Sequence, residues 1–489
     1  MDFWPDVWYD ERKSGKELSM KRNGLLVIIG VLAALLAALL VVLILGQTGA
    51  PPAAPTTNQS TNQSTNQTVT DPVPTQTEPP VTTVPPTTAP PEDPDLLAPV
   101  GEIYITTPAQ VTDTYGEATA RVTWKGETVE SQPITIRIRG YSSTWVAKKA
   151  YNIKFTEKVE LFGMDAGKKW CLISNAYDKS LLRNAIALEY AEKLNLSYVS
   201  SRQFCKVYLN GTYLGIYLAV EPVSEGKDRV NIDLTDGDFL VERCRLREEA
   251  GVTYLTTKNG FRFEMNEPET PEPAALEAIT AYLNQVEDAI RTLDHSIYEE
   301  YIDVASFVDF YIFHELFKDI DFAQYSTRYY RKDGILYAGP PWDLDLSMGN
   351  VSQKSAEWKY WNYNNQDEST DQSGDSTRGY WAQKDYYMWL WQDGWFRQQV
   401  MNRWAALRPM IENLYGENEL GISRLDAYIE AYQTDCESNF TEAGWPLSKP
   451  TGNLDDRYPA DTWVGNVEIL RSWLSRRAQW LDAQWVMDN

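Results

Sequence analysis

The chain has 489 residues and a formal net charge of −24, and this acidity argues against nucleic acid as a main partner, because phosphate backbones bind clustered Lys and Arg. The four cysteines are widely spaced and form no C-x-x-C pair, which argues against a zinc site and leaves disulfide pairing open. Only two histidines occur, so a mechanism built on a catalytic histidine has few candidates.

The N-terminal region predicts a membrane anchor. The run from Leu25 to Leu45 is uninterrupted by charge and long enough to span a bilayer, so we expect a transmembrane helix within residues 24–46. Basic residues precede it, which predicts a cytoplasmic tail over residues 1–23 and an extracellular C-terminal part. A cleaved signal peptide is the alternative, but its apolar region is usually shorter and no clean A-x-A site follows.

Residues 47–97 form a low-complexity linker. They contain the repeat NQSTNQSTNQT and then a stretch rich in Pro and Thr. Such a composition cannot bury a core and behaves as an extended spacer. We therefore expect one folded region over residues 98–489, held away from a membrane by this linker.

The first part of the folded region is rich in predicted strands. Alternation of apolar and polar residues is clear over residues 134–139. Asn210-Gly211 between two apolar runs predicts a tight hairpin. One helix is expected over Lys179–Leu194. The predicted strands are EIYIT, ATARVTW, ITIRIRG, AYNIKF, WCLIS, CKVYLN and YLGIYLAVE.

The second part is more helical. Together the two parts predict an α+β fold, with a small sheet-rich lobe over about residues 98–225 and a larger helical lobe over about 226–489. The predicted helices are Pro273–Leu293, Asp303–Phe317, Gly394–Leu414, Ser423–Asn439 and Val467–Val486.

The segment PPWDLDLSMG places two carboxylates two positions apart. In an extended segment Asp343 and Asp345 would point to one side, with Leu344 and Leu346 toward the core. Two such carboxylates suit Mg²⁺, which proteins usually hold with one or two carboxylates plus substrate phosphates. The alternative is a turn in which the Asp side chains bind only the local backbone.

A second acidic loop precedes this segment. The helix predicted to start at the N-cap Asp303 leads to Asp319 and Asp321, and TRYYR then resumes as a strand. His314 falls at a helical spacing from buried aromatic residues, which predicts packing rather than catalysis. The order helix, acidic loop, hairpin, acidic loop resembles the catalytic and metal-binding loops of a protein kinase.

The stretch RIRGYSSTWVAKKAYNIKF predicts a strand, a Gly/Ser turn and a second strand. Backbone N–H groups and hydroxyls of such a turn can cradle phosphates, and Arg139, Lys148 and Lys154 could balance their charge. The alternative is an ordinary β-hairpin with solvated basic residues. The following helix carries Glu189, which could pair with a lysine as the glutamate of a kinase helix does.

These stretches together resemble the CotH family of atypical protein kinases, which are similar to spore coat protein H. The resemblance covers most of residues 100–350 in order, and the C-terminal part more weakly. It is carried by IRIRGYSSTWVAKKAYNIKF, by KKWCLISNAYDKSLLRNAIALEYAEKL, by VYLNGTYLGIYLAVEPV and by PPWDLDLSMG.

The resemblance implies a two-lobed, kinase-like domain that uses ATP with Mg²⁺ or Mn²⁺ and phosphorylates Ser on coat proteins. It implies Asp321 as catalytic aspartate and Asp343 or Asp345 as metal ligand. Ser326 stands where the family tends to have a metal-binding Asn, and Gln324 could substitute for that ligand. The residues expected near the nucleotide are Arg139, Gly140, Ser142, Ser143, Lys148, Lys154, Glu189 and, beside the adenine, Glu221.

Three functions follow as hypotheses. The first is a surface-tethered kinase acting on Ser/Thr of neighbouring surface or coat proteins. The second is a catalytically weak or inactive kinase-like module that binds glycan or protein, for which the aromatic-rich segment Val351–Tyr387 is a candidate surface. The third is a two-carboxylate glycosidase, which leaves the basic Gly/Ser turn unexplained. The oligomeric state is not predicted.

Overall fold

The computed structural model of the chain describes residues 97–244, 248–350, 385–417, 421–447 and 459–485. The predicted cytoplasmic tail, transmembrane helix and nearly all of the linker lie outside these residues and stay predictions. Among the helices of the described ranges, none combines the length and the apolar character that a membrane span requires.

Seven strands close into a barrel at the N-terminal end of the folded region. Their order around the barrel is β1-β2-β3-β4-β5-β7-β6, and parallel pairing of β1 with β6 closes it. The alternation predicted in β3 is confirmed, because Ile134 and Ile136 point into the barrel core. The strands are β1 Gly101–Thr106, β2 Gly116–Trp124, β3 Glu127–Arg139, β4 Ala150–Val159, β5 Gly167–Ile173, β6 Arg202–Leu209 and β7 Thr212–Val220.

The predicted Asn-Gly hairpin joins β6 to β7. Asn210 and Gly211 both have positive φ, 49° and 80°, as a two-residue turn matching the twist of the strands requires. The Asn210 side chain also accepts a hydrogen bond from the backbone N–H of Thr107 at 2.9 Å. The turn therefore fixes the end of β1 as well as its own hairpin.

The helix between β5 and β6 is shorter than the sequence predicts. Helix α1 spans Arg183–Ala191, whereas Lys179–Leu194 was expected. Asp178 accepts hydrogen bonds from the backbone N–H groups of Ser180 and Arg183, and Leu181 has a left-handed φ of 60°. A left-handed residue cannot continue an α-helix, so these residues form a turn instead.

A second sheet lies in the part of the chain predicted to be helical. Its order is β12-β11-β8-β10-β9. Only the hairpin of β11 and β12 was foreseen, because β8 is buried at all five residues and shows no alternation, while β9 has three residues. The strands are β8 Phe239–Arg243, β9 Tyr254–Thr256, β10 Arg262–Glu267, β11 Arg328–Lys332 and β12 Ile335–Ala338.

The five predicted helices of this part are confirmed to within a few residues at each end, and two short helices join them. Asp303 caps α4 as predicted, accepting from Ser306 N at 2.7 Å, and Ser423 opens α7 with a capping box. The helices are α2 Pro273–Arg291, α3 His295–Tyr298, α4 Val304–Phe317, α5 Tyr387–Leu390, α6 Gly394–Tyr415, α7 Arg424–Thr441 and α8 Trp463–Gln484.

The main core is built around α4. Every residue of this helix from Ser306 to Phe317 is buried, and its aromatic rings pack against the second sheet and against helices from the C-terminal end. A helix with large apolar side chains around its whole circumference is stable only in such a position. The fold is therefore mixed α+β, as predicted, and the burial of α4 fixes where its C-terminal acidic loop emerges.

Candidate active site

The loop after α4 carries the first two carboxylates. Lys318 ends the helix in the left-handed conformation, with φ of 49°. Asp319 is buried, whereas Asp321 is half-exposed, and the backbone N–H of Asp321 donates to Asp319 Oδ1 at 3.1 Å. Burial, with a smaller contribution from the charge of Asp343, raises the pKa of Asp319 to about 8.

The segment after β12 carries the second pair. Leu344 and Leu346 are buried as predicted, but the backbone is not extended, since Asp343 has a left-handed φ of 67°. The carboxylates nevertheless gather. Burial raises the pKa of Asp345 well above its usual range, and the charges of Asp343, Asp178 and Asp321 add to this effect.

Ser326 lies at this site, as the resemblance implies. Its hydroxyl is 3.4 Å from Asp343 Oδ2, and its backbone N–H donates to Glu242 Oε1 at 2.9 Å. Gln324, the suggested substitute ligand, instead donates from its side chain to the carbonyl of Ile320 at 3.2 Å. The structure thus brings the Ser326 hydroxyl to Asp343.

The carboxylates fit a divalent cation only in part. Among the residues that the structure describes, no group of three or more His, Cys, Asp or Glu side chains is arranged to hold a metal by itself. Mg²⁺ does not need such a cage, because one or two carboxylates plus phosphates and water complete its shell. Carboxylates that raise one another's pKa are the groups whose repulsion a bound cation relieves.

Helix α1 and the turn before it hold the Asp343–Asp345 loop in place. Asn184 Oδ1 accepts from the backbone N–H of Leu344 at 2.8 Å, and Arg183 donates to the carbonyl of Ser347 at 3.1 Å. Asn350 donates to the carbonyl of Asp345 at 2.6 Å, and Asp178 pairs with Arg183. Sequence reasoning assigned these residues no role, although the motif YDKSLLRN contains three of them.

The predicted Gly/Ser turn lies between β3 and β4. Gly140 has φ of 93°, and a Cβ there would come within 1.9 Å of Ser143 Oγ, so only glycine fits. Ser143 donates to the carbonyl of Arg139 at 3.3 Å, and the carbonyl of Ser142 accepts from Tyr177 at 2.9 Å. Both hydroxyl residues therefore stabilise the turn itself.

A small apolar cluster joins this turn to the acidic loops. Val146 packs with Tyr177 and Leu346, and Ile320 lies against them. Leu346 follows the Asp pair and Ile320 precedes Asp321, so the cluster places the Gly/Ser turn beside both carboxylate loops. The structure brings together these three segments, which lie about 200 residues apart in sequence at their extremes.

Of the basic residues predicted near the nucleotide, Arg139 lies close to the carboxylates. Its guanidinium lies 5.4 Å from the ring centre of Trp342, and its charge lowers the strongly raised pKa of Asp345. Lys154 lies exposed on β4, opposite Thr135 and Lys169. The structure shows no contact between Lys154 and the acidic loops.

The hydrogen bonds of Lys148 go to groups outside the Gly/Ser turn, and this does not support its assignment as a phosphate ligand. Its side chain is buried and donates to the carbonyls of Ser174 and Ile216, at 2.8 and 2.6 Å, and to Asn439 Oδ1 at 2.7 Å. An ammonium group has three donors, so these acceptors occupy all of them. The lysine ties the barrel to α7.

Glu189 pairs with α7 rather than with a lysine of the barrel. Its carboxylate accepts from Arg424 at 2.7 and 3.2 Å and from the hydroxyl of Tyr428 at 2.7 Å. It lies 3.9 Å from Lys193 of its own helical segment. Glu189 and Lys148 therefore each contact α7 and are not paired with each other.

Glu221 ends the barrel and begins the connection to the second sheet. It is buried, burial raises its pKa, and Arg229 Nε lies 3.8 Å away. This position agrees with the junction at which the sequence places it. Its contact with an adenine stays a prediction.

Other expectations about side chains are settled by burial. His314 is buried and stacks on Phe322 with ring centres 3.8 Å apart, so its predicted packing role is confirmed. The four cysteines are buried thiols without disulfide bonds. Nearly all of the candidate binding segment Val351–Tyr387 lies outside the described residues.

The chain matches the sequence model of a known protein family. A sequence model of the family described as CotH kinase protein matches residues 136–481, which include the Gly/Ser turn, both acidic loops and the C-terminal helices. No curated protein matches the chain.

Proposed function

The chain belongs to the CotH kinase family, and on this premise we propose that it is a protein kinase that transfers phosphate from ATP to Ser or Thr of surface or coat proteins. One observation carries the proposal. Asp321, Asp343 and Asp345 gather beside a glycine-dependent turn that carries Arg139. Carboxylates for a cation next to donors for phosphate are what phosphoryl transfer requires.

We infer a two-lobed, kinase-like arrangement within the α+β fold. The barrel over about residues 98–225 would be the first lobe, and residues from about 226 would form the second. The order along the chain supports this assignment, because the Gly/Ser turn comes first, Glu221 stands at the junction, and the two acidic loops follow. The nucleotide would lie between them, with Glu221 beside the adenine.

Each residue then has a chemical role. Asp321, the more exposed acid of its loop, would orient the acceptor hydroxyl and take up its proton. Asp343 and Asp345, with the hydroxyl of Ser326, would hold Mg²⁺ or Mn²⁺, which when bound neutralises the phosphate charge. Arg139 and the N–H groups of residues 140–143 would face the phosphates.

The test is phosphate transfer by the full chain. We would incubate the full-length protein, purified in a mild detergent, with γ-labelled ATP, Mn²⁺ or Mg²⁺ and a Ser/Thr-containing acceptor protein. We expect Asp321→Ala and Asp345→Ala to reduce transfer by about a hundredfold or more, since general base and metal each contribute at this scale.

Asp113→Ala is the matched control, because this aspartate is exposed in the barrel half and has no place at the site. It should transfer phosphate at the wild-type rate. Equal activity in wild type, Asp321→Ala and Asp345→Ala would show that any transfer arises elsewhere and would overturn the assignment.

A second function is favoured by two specific observations. Ser326 is a weaker cation ligand than the Asn that the family tends to have, and Tyr141 and Trp145 are 56% and 64% exposed on the Gly/Ser turn. These suit a surface module that binds protein or glycan on a kinase-like fold. Binding of such a ligand that survives Asp345→Ala, together with no phosphate transfer, would favour this function.

We further propose that the catalytic region is extracellular and anchored through residues 24–46. The sequence supports this by the apolar run and by the basic residues that precede it. The partners would then be Ser/Thr-containing proteins of the cell surface or coat.

A further inference from the structure

Arg328 is a buried arginine with donors left over. It opens β11 with only 9% of its surface exposed, and its Nη2 donates to Glu242 Oε2 at 2.5 Å. Its Nε and Nη1 are buried and have no hydrogen-bond partner among the described residues. A buried donor without an acceptor is destabilising, so structural arginines normally satisfy all of their N–H groups.

Two other buried arginines, Arg183 and Arg477, use more of their nitrogens as donors. Arg183 uses Nε, Nη1 and Nη2 on the carbonyls of the Asp343–Asp345 loop and on Asp178. Arg477, which is fully buried, uses Nε on the carbonyl of Glu315 and Nη2 on its carboxylate. Arg328 differs because it has one anchoring bond and keeps two nitrogens available.

The anchoring carboxylate also holds the acidic site. Glu242 and Arg328 are cross-strand partners in β8 and β11, and the other oxygen of Glu242 accepts from Ser326 N at 2.9 Å. Ser326 in turn lies 3.4 Å from Asp343. A single carboxylate therefore fixes the Arg328 guanidinium relative to the candidate cation ligands.

Arg328 shares its surroundings with Arg139. The two guanidinium groups lie 5.7 and 5.4 Å from the ring centre of the same indole, Trp342, which directly precedes Asp343. Burial raises the pKa of the Cys171 thiol, and the charges of both arginines lower it. Two cations thus lie next to the carboxylate group, in a chain whose net charge is strongly negative.

This arrangement fits a ligand with several negative charges. The carboxylates suit a divalent cation, and the neighbouring guanidinium groups suit the ligand oxygens that the cation leaves uncovered. A polyphosphate chain has both features. A carboxylate ligand is less suitable, because it has too few oxygens to contact the cation and both arginines.

We propose that Arg328 binds the phosphate chain of the nucleotide, together with Arg139, through its Nε and Nη1 donors. This inference rests on the proposed function, because it concerns the same site. It adds a phosphate ligand from the second sheet to those of the Gly/Ser turn. It also places a positively charged side chain next to Ser326, which is a weaker ligand for the metal cation than Asn. The arginine would then neutralise phosphate charge that the metal neutralises less well.

The experiment measures binding rather than turnover. Full-length protein in detergent is titrated by calorimetry with ATP, inorganic tripolyphosphate and adenosine, each with Mg²⁺. In Arg328→Gln we expect ATP and tripolyphosphate to bind roughly tenfold to a hundredfold more weakly, because losing hydrogen bonds from a charged group weakens binding by about this factor. Adenosine, which has no phosphate, should bind as it does to the wild type.

Arg331→Gln is the matched control, because Arg331 lies in the same strand and is paired with Asp238 at 3.2 Å. It should leave all three affinities unchanged. If Arg328→Gln fails to fold because Glu242 is left as an unpaired buried charge, the double variant Arg328→Gln/Glu242→Gln replaces it, because it removes both charges of the buried pair. It should show the same loss of phosphate binding.

The outcomes separate the two proposals. If the wild type binds ATP and either Arg328→Gln or the double variant binds it equally tightly, the role of Arg328 is overturned and the kinase function still stands. Equal loss of adenosine and tripolyphosphate would overturn the role too, since it indicates collapse of the site. Failure of the wild type to bind either ATP or tripolyphosphate would overturn both proposals.

Discussion

At the scale of single residues, Lys148 is the basic group whose environment differs most from what its sequence position suggests. It is adjacent to the Gly/Ser turn, yet it points into the interface with α7 and contacts Asn439, 291 positions away. Burial lowers its pKa to about 7, because the ammonium loses contact with water.

This environment predicts a pH dependence of stability. The unfolded lysine keeps its proton up to about pH 10.4, while the folded one releases it at a lower pH. The unfolded state then binds more protons between about pH 7 and 10, so stability rises with pH in this window, by at most about 1.4 kcal/mol per unit. In Lys148→Met this rise should be absent.

The measurement is the free energy of unfolding by urea at several pH values from 7 to 9.5. At pH 7 we also expect Lys148→Met to be less stable by about 2 kcal/mol, because it leaves buried acceptors unpaired. Lys154→Met, on the exposed face of β4, is the control and should follow the wild-type curve. Parallel curves for wild type and Lys148→Met would contradict the lowered pKa.

At the scale of elements, α1 positions the candidate cation ligands from a different part of the chain. Asn184 holds the backbone of Leu344, the residue between Asp343 and Asp345, and is itself held by Asn175 at 3.0 Å. Groups that orient metal ligands are typically worth about tenfold to a hundredfold in metal affinity.

We therefore expect Asn184→Ala to bind Mn²⁺ roughly tenfold more weakly than the wild type. The measurement is titration of Mn²⁺ followed by the paramagnetic resonance of the free ion. Lys193→Ala, beyond the end of the same helix and partly exposed, should bind Mn²⁺ normally. An unchanged affinity in Asn184→Ala would mean that the Asp343–Asp345 loop keeps its geometry without the hydrogen bond from Leu344 to Asn184.

The contact between the barrel and α7 depends on a glycine. Gly215 in β7 has φ of 100°, and a Cβ there would lie 2.3 Å from Asn439 Oδ1, the same atom that accepts from Lys148. Trp445 adds a hydrogen bond to the carbonyl of Leu214 at 2.8 Å. The close approach of helix and hairpin therefore leaves no space for a side chain at residue 215.

Gly215→Ala should lower the free energy of unfolding by at least about 2 kcal/mol, through backbone strain and displacement of Asn439. Gly211→Ala is its control, because φ there is also positive, 80°, but nothing lies within 4 Å of the added Cβ. That variant should lose only about 1 kcal/mol. Equal losses in chemical denaturation would mean that the contact with Asn439 relaxes freely.

At the scale of the whole molecule, charge and the proposed N-terminal anchor would together decide where the chain can act. Its net charge of −24 disfavours binding to anionic polymers, while the basic groups around Trp342 form a local exception. A linker of about 50 residues would let the folded region reach proteins well away from the membrane surface.

The proposed anchor predicts how the protein fractionates. The full chain should stay in the membrane pellet after an alkaline carbonate wash, and a variant lacking residues 1–46 should move to the supernatant. A variant lacking only residues 1–23 should remain in the pellet. A mature protein whose N-terminus lies beyond residue 46 would instead support the cleaved signal peptide.

Local patterns in the sequence determined much of the fold. The barrel strands, the Asn-Gly hairpin, the cap of α4 and the five long helices of the second part depend on neighbours within a few positions, so periodicity and turn chemistry predict them. The ordered motifs also indicated the family, and the acidic pairs followed directly from PPWDLDLSMG and KDID.

Only the tertiary structure decided which charges meet. Lys148 and Arg139 lie on either side of one turn, yet the first is enclosed by α7 and the second faces the carboxylates. Arg328 joins the site because β8 and β11 pair, although Glu242 is 86 positions away. What a charged side chain does depends on its partners and on its burial. The fold sets both by joining residues far apart in sequence, so no local pattern encodes them.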